Sequence, residues 1–422
     1  MSSIIPTAPM RLLRRRVKGG VLLYAIFLSI VIAIAFSSLF LVFYSADIEV
    51  ELSQIPVDLS RNANSGINYL LTSDFNSSDT ITMDLFGEGS DSVKLHQSSW
   101  GAFGLCYSKA FHKSFSNKKI ALVGSNLKDA ETALYIPDNG EPISIAGSTT
   151  LTGSIYISKA GIKKAYIEGK PLENPNAVKG TLHKSEKSLP EIKFQIEAAS
   201  QILKKIKDAN ISDYSLSDSI NHSFTEQTLV IGSDQFIVID GKNLNGRILI
   251  KSQKGIEVTS NNRLHNIILF APYIKLSNDF SGELQAIASD SISVGENVKL
   301  NYPSSILVYK EDSKSLQKIH VGKNSNIIGD IILLNDSTNS GNVITIESDV
   351  VQTGNIFTNG LVQMKGTLYG GLFSNGFYLK TSSSVYKNHL FDAEINKLKQ
   401  PFFFVGCNYW DAEKRKIVSW VN

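Results

Sequence analysis

One uninterrupted apolar segment constrains this chain more than any other feature of its sequence. From Gly20 to Ala46 it reads GVLLYAIFLSIVIAIAFSSLFLVFYSA, and none of these residues is charged. A helix of that length can cross a hydrocarbon core of about 30 Å. The run is also longer than the roughly 7–15 apolar residues of a cleavable secretory signal. The segment therefore predicts a transmembrane helix over residues 20–46.

Basic residues on the N-terminal side of this segment predict its orientation. Five of them precede it, namely Arg11, Arg14, Arg15, Arg16 and Lys18. The first acidic residue of the chain is Asp47. Because Lys and Arg are retained on the cytoplasmic side, we expect a cytoplasmic basic tail over residues 1–19 and an extracytoplasmic body. The predicted location is the cytoplasmic (inner) membrane, crossed once, with the lipid bilayer as a partner.

The net charge of +3 comes from this basic cluster rather than from the body of the protein. The chain has 42 basic and 39 acidic residues, so that without the five cluster residues the balance is 37 to 39, or −2. A near-neutral body lacks the basic surface of a nucleic-acid-binding protein, and we predict no nucleic-acid partner. The two cysteines, Cys106 and Cys407, form no metal-binding pattern. A disulfide between them and two separate buried thiols are both open interpretations.

The junction between the basic tail and the apolar segment resembles the start of a type IV prepilin or a type II secretion pseudopilin. Residues 16–27 read RVKGGVLLYAIF. In that family a short basic leader ends at Gly, immediately before a hydrophobic helix. The resemblance implies leader cleavage at Gly19 or Gly20. Where most members carry Glu five residues into the mature chain, this chain has Tyr24 or Ala25. A plain, uncleaved membrane anchor is the alternative interpretation.

A helical pattern continues after the apolar segment. Apolar residues recur at steps of mostly three and four from Ile48 to Leu70, which predicts a stalk helix over residues 47–72. Pro56 lies inside this stretch and is expected to kink or break the helix. Residues 61–71, RNANSGINYLL, resemble the small-residue stretch that follows the membrane helix in pilin-like proteins. In that family this half of the helix packs on a β domain.

The rest of the chain is predicted to be mainly β. Residues 73–227 read as a mixed, mostly β region that contains one amphipathic helix near 189–208, beginning with a capping box. Over residues 228–390 a Gly or Asn followed by a short β run recurs at intervals that suit one coil of a solenoid. Those intervals favour a β-helix-like solenoid over a propeller, with a sandwich or irregular multi-sheet domain as the alternative. The repeats resemble those of bactofilins and other solenoid scaffold proteins.

The clearest repeat is GNIFTNGL at 354–361 followed by GGLFSNGF at 370–377. The shift from Gly354 to Gly370 predicts three stacked pairs on successive coils, namely Phe357 over Phe373, Asn359 over Asn375 and Gly360 over Gly376. We expect the Phe and Asn pairs to form inward ladders, and the Gly pair to occupy corners that require positive φ. The aromatic segment 391–422 is predicted to cap the last coil. A partner-docking surface is the alternative interpretation of that segment.

No catalytic, cofactor-binding or metal-binding constellation is found in the sequence. Polysaccharide hydrolysis would need paired carboxylates on neighbouring coils, for which the candidates by register are Asp240, Asp279, Glu283 and Asp290. Three of these four residues lie in turn-like contexts. Four tyrosines are candidates for stacking a glycan, namely Tyr273, Tyr302, Tyr309 and Tyr378.

The sequence therefore predicts a non-enzymatic, membrane-anchored structural protein without a cofactor. Its predicted role is that of a component of a surface or pilus-like assembly, or of an anchored scaffold or adhesin. Other envelope or pilus-like proteins are the predicted partners, with a glycan as a possible ligand. The alternative is a β-helix envelope protein that binds or degrades polysaccharide.

Overall fold

A computed structural model describes residues 19–72, 80–87, 89, 91–125, 131–190, 204, 217–310, 315–335, 341–408 and 415–422. The chain is mainly β within these ranges, with one long N-terminal helix, α1, over Gly19–Thr72. A short 3-10 helix covers Lys397–Lys399. Apart from its first two residues and Lys204, the amphipathic helix predicted at 189–208 lies outside the described residues.

Helix α1 is continuous over 54 residues and contains Pro56. The predicted transmembrane and stalk segments therefore form one helix, and the break expected at Pro56 is not found. A proline inside a helix costs about 3 kcal/mol, because it removes one hydrogen bond and crowds the preceding turn. Packing of the following turns against a sheet compensates for that cost, since Leu59, Ala63 and Ile67 are buried there.

An antiparallel sheet lies beside the second half of α1. Its strands are β1 (Ile81–Met83), β2 (Ser92–Trp100), β3 (Phe103–His112), β4 (Phe115–Ser125) and β35 (Arg415–Val421). They are ordered β1-β2-β3-β4-β35. The last strand comes from the C-terminal end of the chain and pairs with β4, so that Arg415 lies opposite Ser125.

Between β4 and β35 the chain forms a large set of short strands that pair in parallel, here called the parallel stack. The first seven are β5 (Thr132–Tyr135), β6 (Ile143–Ala146), β7 (Thr150–Thr152), β8 (Ser154–Ile157), β9 (Ile162–Lys164), β10 (Val178–Lys179) and β11 (Leu182–Lys184). The next eleven are β12 (Ser219–His222), β13 (Leu229–Ser233), β14 (Ile237–Ile239), β15 (Asn243–Gly246), β16 (Ile248–Ser252), β17 (Ile256–Val258), β18 (Arg263–His265), β19 (Ile267–Leu276), β20 (Ser281–Gly282), β21 (Leu284–Val294) and β22 (Lys299–Lys310). The last twelve are β23 (Lys318–Val321), β24 (Asn326–Asn335), β25 (Val343–Ile346), β26 (Val351–Thr353), β27 (Ile356–Thr358), β28 (Leu361–Met364), β29 (Thr367–Tyr369), β30 (Leu372–Phe373), β31 (Gly376–Lys380), β32 (Val385–Lys387), β33 (His389–Phe391) and β34 (Glu394–Asn396). Among the described strands of the stack, only β32 has no parallel partner, because it forms an antiparallel hairpin with β31.

The strands of the stack form columns. Within a column, each strand pairs with the equivalent strand of the neighbouring repeat. One column runs β13-β16-β19-β21-β22-β24-β27-β30-β5-β8-β11. Its shortest forward step joins Ile356 to Leu372, and its longest joins Ile155 to Leu182. We call it the sheet-facing column, because its outer face packs against the antiparallel sheet.

The order of strands in the stack departs from their order in the sequence. After the coil at 372–396, the stack continues with residues 132–184, so that Phe373 pairs with Tyr135 and Ile395 with Leu151. The stack therefore extends beyond the predicted range 228–390 and takes in part of the region expected to be mixed. The predicted cap over 391–422 is also divided, because β34 belongs to a coil and β35 to the antiparallel sheet.

Three large buried cores result from this arrangement, beside a small cluster of Ala146, Ile167, Leu379 and Phe391. The largest fills the inside of the stack with Ile, Leu and Val side chains contributed by nearly every coil. A second core, rich in aromatic residues, lies between the sheet-facing column and one face of the antiparallel sheet. The third lies between the other face of that sheet and α1. Helix, antiparallel sheet and parallel stack are therefore three successive layers.

Candidate membrane and assembly surface

The first half of α1 exposes its apolar side chains. Val21 to Tyr44 are exposed, and Leu23 and Phe40 each keep 72% of their surface accessible. The hydroxyls of Ser29 and Ser38 each donate to the carbonyl three residues earlier, at 2.8 Å. Such bonds satisfy a polar group where no water is available. By length and composition, this helix is able to cross a membrane.

The second half of α1 packs on the antiparallel sheet along a narrow seam. Leu59, Ala63, Ile67 and Leu70 are at most 2% exposed and lie on one face of the helix. Gly66 lies close against the sheet, since a Cβ atom added there would lie 2.2 Å from Ser108 Oγ and 2.7 Å from Leu95 Cδ2. Small residues in this half of the helix therefore allow its backbone to approach the sheet closely.

Three polar side chains in contact with one another hold the helix at one side of the seam. Asn62 Nδ2 donates to Asp91 Oδ2 at 2.8 Å, and the other oxygen of Asp91 lies 2.7 Å from His112 Nδ1. Asp91 therefore links the helix to the end of β3. This link restricts the rotation of the helix about its own axis.

The residues predicted to mark the leader lie at the start of α1. Helix α1 begins at Gly19, and a Cβ atom added to Gly20 would have no neighbour within 4 Å. The basic cluster Arg11, Arg14, Arg15, Arg16 and Lys18 lies outside the described residues.

Phe357 and Phe373 pair in register, but they do not point into the stack. Their ring centroids are 6.2 Å apart, and the rings are stacked. Both rings lie in the core between stack and antiparallel sheet, while the preceding residues Ile356 and Leu372 fill the inside. The predicted inward orientation is wrong because successive strand residues face opposite sides, and the outer side is itself covered.

This ladder continues through the point where the sequence order is interrupted. The ring of Tyr135 stacks on Phe373 at 6.2 Å and on Tyr156 at 5.5 Å, and Tyr156 stacks on His183 at 4.7 Å. Five consecutive coils thus carry a stacked ring at the same register position. The two phenylalanines visible as a repeat are therefore part of a longer ladder.

The predicted asparagine pair forms a hydrogen-bonded ladder at one corner of the stack. Asn375 Nδ2 donates to the carbonyl oxygen of Asn359 at 2.5 Å, and Asn359 Nδ2 donates to the carbonyl oxygen of Asn335. Asn375 is exposed and Asn359 half-buried, so this ladder lies at the surface rather than inside. Each side chain satisfies a backbone group of the preceding coil.

Gly360 and Gly376 do not form the predicted pair. Gly376 pairs with Leu361 instead, because the turn before it is one residue shorter than in the preceding coil. Gly376 has the predicted positive φ, at 157°, but Gly360 does not. Glycine is required at position 360 because an added Cβ atom would lie 2.3 Å from the carbonyl oxygen of Asn342. Left-handed turn positions are occupied both by Gly, such as Gly241 with φ 63°, and by Asn and Asp. The Asn and Asp positions were missed by the sequence analysis and include Asp279, Asn297, Asn324 and Asp349, with φ between 57° and 62°.

The four candidate acids do not converge on one place. Asp240 accepts a hydrogen bond from Thr259, Asp279 from Asn297, and Asp290 pairs with Lys310 at 2.6 Å. Among the described residues, no three His, Cys, Asp or Glu side chains form a group able to hold a metal ion. Of the four candidate tyrosines, Tyr309 is 1% exposed and belongs to the core, which excludes it from stacking a ligand.

Glu283 is the exception among these acids, because it is buried in the stack. It is 7% exposed, and its Oε2 atom lies 2.7 Å from His265 Nδ1 on the preceding coil. Burial raises the pKa of Glu283 to about 8, and burial also lowers the pKa of His265. A single buried carboxyl beside one imidazole lacks the second carboxylate that glycoside hydrolysis requires.

Comparisons with known proteins were made for the whole chain. No protein-family model matches it, and no match was found among curated proteins. Among solved structures, the chain is similar to the competence-associated pilin ComZ from Thermus thermophilus, with 10% sequence identity and a TM-score of 0.24. The alignment covers 88% of this chain and 95% of that chain. A TM-score of this size does not establish a common fold.

Proposed function

We propose that this chain is a single-pass envelope protein and a component of a pilus-like surface assembly. The division of α1 into an exposed apolar half and a half packed on an antiparallel sheet carries this proposal. The exposed half inserts into the lipid bilayer, and after assembly it packs against the helices of other envelope or pilus-like proteins. The packed half attaches that helix rigidly to the body.

The basic cluster at residues 11–18 supports an orientation with the N-terminus inside and the body outside the cytoplasmic membrane. Exposure of more than half of the surface of Leu23, Phe27 and Phe40 supports a lipid or helical environment for this segment. In water so large an apolar surface would drive aggregation.

For the body, we propose a β-solenoid scaffold that presents its outer surface to partners. The parallel columns support this architecture, because the pairing of each strand with the equivalent strand of the next repeat continues from coil to coil. A scaffold of this kind acts by binding along its stacked strands. Its side chains can therefore vary on the outside without disturbing the Ile, Leu and Val core.

The leader is tested by expressing the full chain in cells that contain a prepilin peptidase and measuring the intact mass of the membrane-fraction protein. We expect a mature chain that begins at Gly20 or Val21. Substituting Gly19→Ala and Gly20→Ala separately identifies the cut, because only one of the two changes should block it. An N-terminus that stays at Met1 would refute the pilus-like role and leave a plain anchor.

Assembly is tested by placing a photo-activatable amino acid in α1 of the full chain. At Ile32, which is 46% exposed, we expect cross-links to the helices of other envelope subunits. The matched control is Ile67, which is fully buried in the seam and should cross-link only within its own chain. Identical cross-linking patterns at both positions would contradict the proposed surface.

A further inference from the structure

A cleft of about 330 Å³ lies where the antiparallel sheet meets the first coils of the stack. We call it the junction cleft. One wall is the face of the antiparallel sheet that points away from α1, with Lys94 and His96 from β2 and Tyr107 from β3. The other wall belongs to the stack and includes Phe224 and Arg247. Its volume is at the lower end of ligand pockets, which span about 300–1,000 Å³.

The cleft concentrates positive charge in an otherwise near-neutral body. Three basic side chains line it, Lys94, His96 and Arg247, and no described carboxylate lies among its lining residues. The acidic residue nearest in sequence to the Phe224 wall is Glu226, whose carboxylate lies 3.2 Å from His222 Nδ1. The basic groups of the cleft are therefore available to an anion from outside the chain.

Two buried nitrogen atoms in this cleft have no hydrogen-bond partner among the described residues. They are Nε of Arg247 and Nδ1 of His96. The Arg247 guanidinium is held in place through Nη1, which donates to the carbonyl oxygens of Glu226 at 2.9 Å and Phe224 at 3.4 Å. A partly buried positive charge without a counter-ion is unfavourable, and an oxyanion at the accessible part of the Arg247 guanidinium would reduce that penalty.

The remaining lining residues distinguish a small organic ligand from a free inorganic ion. Tyr107, which is partly exposed, gives the lining an aromatic ring. Phe224 is 3% exposed and in edge-on contact with Trp100, at 5.5 Å between ring centroids, and it adds buried apolar surface to the lining. Ser98 and Thr225 contribute hydroxyl groups to the same cleft. An apolar wall together with hydroxyls and cations matches a ring that carries both hydroxyl groups and a carboxylate.

We propose that the junction cleft binds an acidic sugar. The carboxylate of the sugar pairs with Arg247 and His96, the ring lies against Tyr107, and the ring hydroxyls bond to the polar side chains around them. This site does not depend on assembly of the chain into a pilus, so a chain that is only anchored would bind the same ligand. It would direct the body toward acidic glycans outside the cell.

The proposal is tested by calorimetric titration of the detergent-solubilised full chain with glucuronate, glucose and inorganic phosphate. We expect saturable binding of glucuronate, at least tenfold weaker binding of glucose, and weak binding of phosphate. Hydrogen bonds to charged groups contribute about 1.5–3 kcal/mol, which corresponds to roughly 10- to 100-fold in affinity. Arg247→Gln should therefore weaken glucuronate binding by about that factor.

Two further variants keep the test sharp if Arg247→Gln disturbs the fold. Lys94 is exposed, so Lys94→Gln should preserve the fold and still weaken glucuronate binding several-fold. Lys118→Gln is the matched control, because Lys118 is exposed on the same sheet and does not line the cleft. Equal binding of glucose and glucuronate, phosphate binding as tight as glucuronate binding, or equal loss in Lys94→Gln and Lys118→Gln would each overturn the proposal.

Discussion

The seam between α1 and the antiparallel sheet can be tested by adding a single methyl group at Gly66. On an exposed helix, replacement of Gly by Ala stabilises a protein by about 1 kcal/mol. At Gly66 the added Cβ atom would lie 2.2 Å from Ser108 Oγ, 2.7 Å from Leu95 Cδ2 and 2.9 Å from Val93 Cγ1. Favourable contacts between carbon atoms lie at about 3.5–4.0 Å, so all three atoms must move.

The two effects oppose each other, and the crowding is the larger. Overpacking a well-packed site costs about 1–3 kcal/mol. After the gain in helix propensity is subtracted, we expect Gly66→Ala to lower the free energy of unfolding by about 1 kcal/mol. The measurement is urea unfolding of the solubilised full chain, followed by tryptophan fluorescence, to which Trp100 contributes from a buried position in the antiparallel sheet, 3% exposed.

A second substitution isolates the cause. Ser108 Oγ is the nearest atom to the added methyl group and is buried without a hydrogen-bond partner among the described residues. Ser108→Ala alone should be neutral or slightly stabilising, and in combination with Gly66→Ala it should recover more than half of the loss. If Gly66→Ala leaves the urea midpoint unchanged or raises it, the seam is not as close as described.

Three further predictions concern buried polar groups of the body. Asp330 is 1% exposed and accepts hydrogen bonds from the backbone N–H groups of Asn355 and Cys407, at 2.8 and 2.7 Å. Asp330→Asn should therefore lower the free energy of unfolding in urea by about 2 kcal/mol, and an unchanged urea midpoint would contradict this. Burial raises the pKa of Glu283 to about 8, so the stability contributed by this carboxyl is complete below its usual pKa near 4.5 and is lost as the pH rises through 8. In thermal unfolding experiments Glu283→Gln should weaken this decline, and a pH profile identical to that of the unmodified protein would contradict the prediction. Burial raises the pKa of Cys106 to about 12 and that of Cys407 well above its usual value. Neither thiol should therefore react with a disulfide reagent at pH 8 until urea is added, and rapid labelling of the native protein would contradict this.

Local periodicity explains which parts of this structure could be predicted from the sequence. The apolar run and the three-and-four spacing after it predict α1, because every contact involved lies within a few residues. The pairing of Phe357 with Phe373 was also predictable, since the two residues sit at the same place in adjacent repeats. The side to which they point was not, because Ile356 and Phe357 are both apolar and the strand shows no alternation that would distinguish the faces.

Pairings between distant segments could not be predicted. Residues 132–184 contain Gly-led phrases such as GSIYI at 153–157, but nothing local to them indicates that they join the stack after the later repeats, by pairing with strands such as β30 and β34. The junction cleft was missed for the same reason, because Lys94 and Arg247 lie in different layers of the fold. Only an arrangement that places β2 beside the first coils of the stack brings their charges together.

The position of the stack between β4 and β35 has a mechanical consequence. A domain appended through one linker can swing freely on its support. Here the backbone leaves the antiparallel sheet after Ser125 and returns to it at Arg415, next to the strand that it left. A force on the outer coils is therefore shared by two covalent connections and by the aromatic core beneath them. Such a double attachment resists displacement of the stack relative to the antiparallel sheet when either of them is pulled.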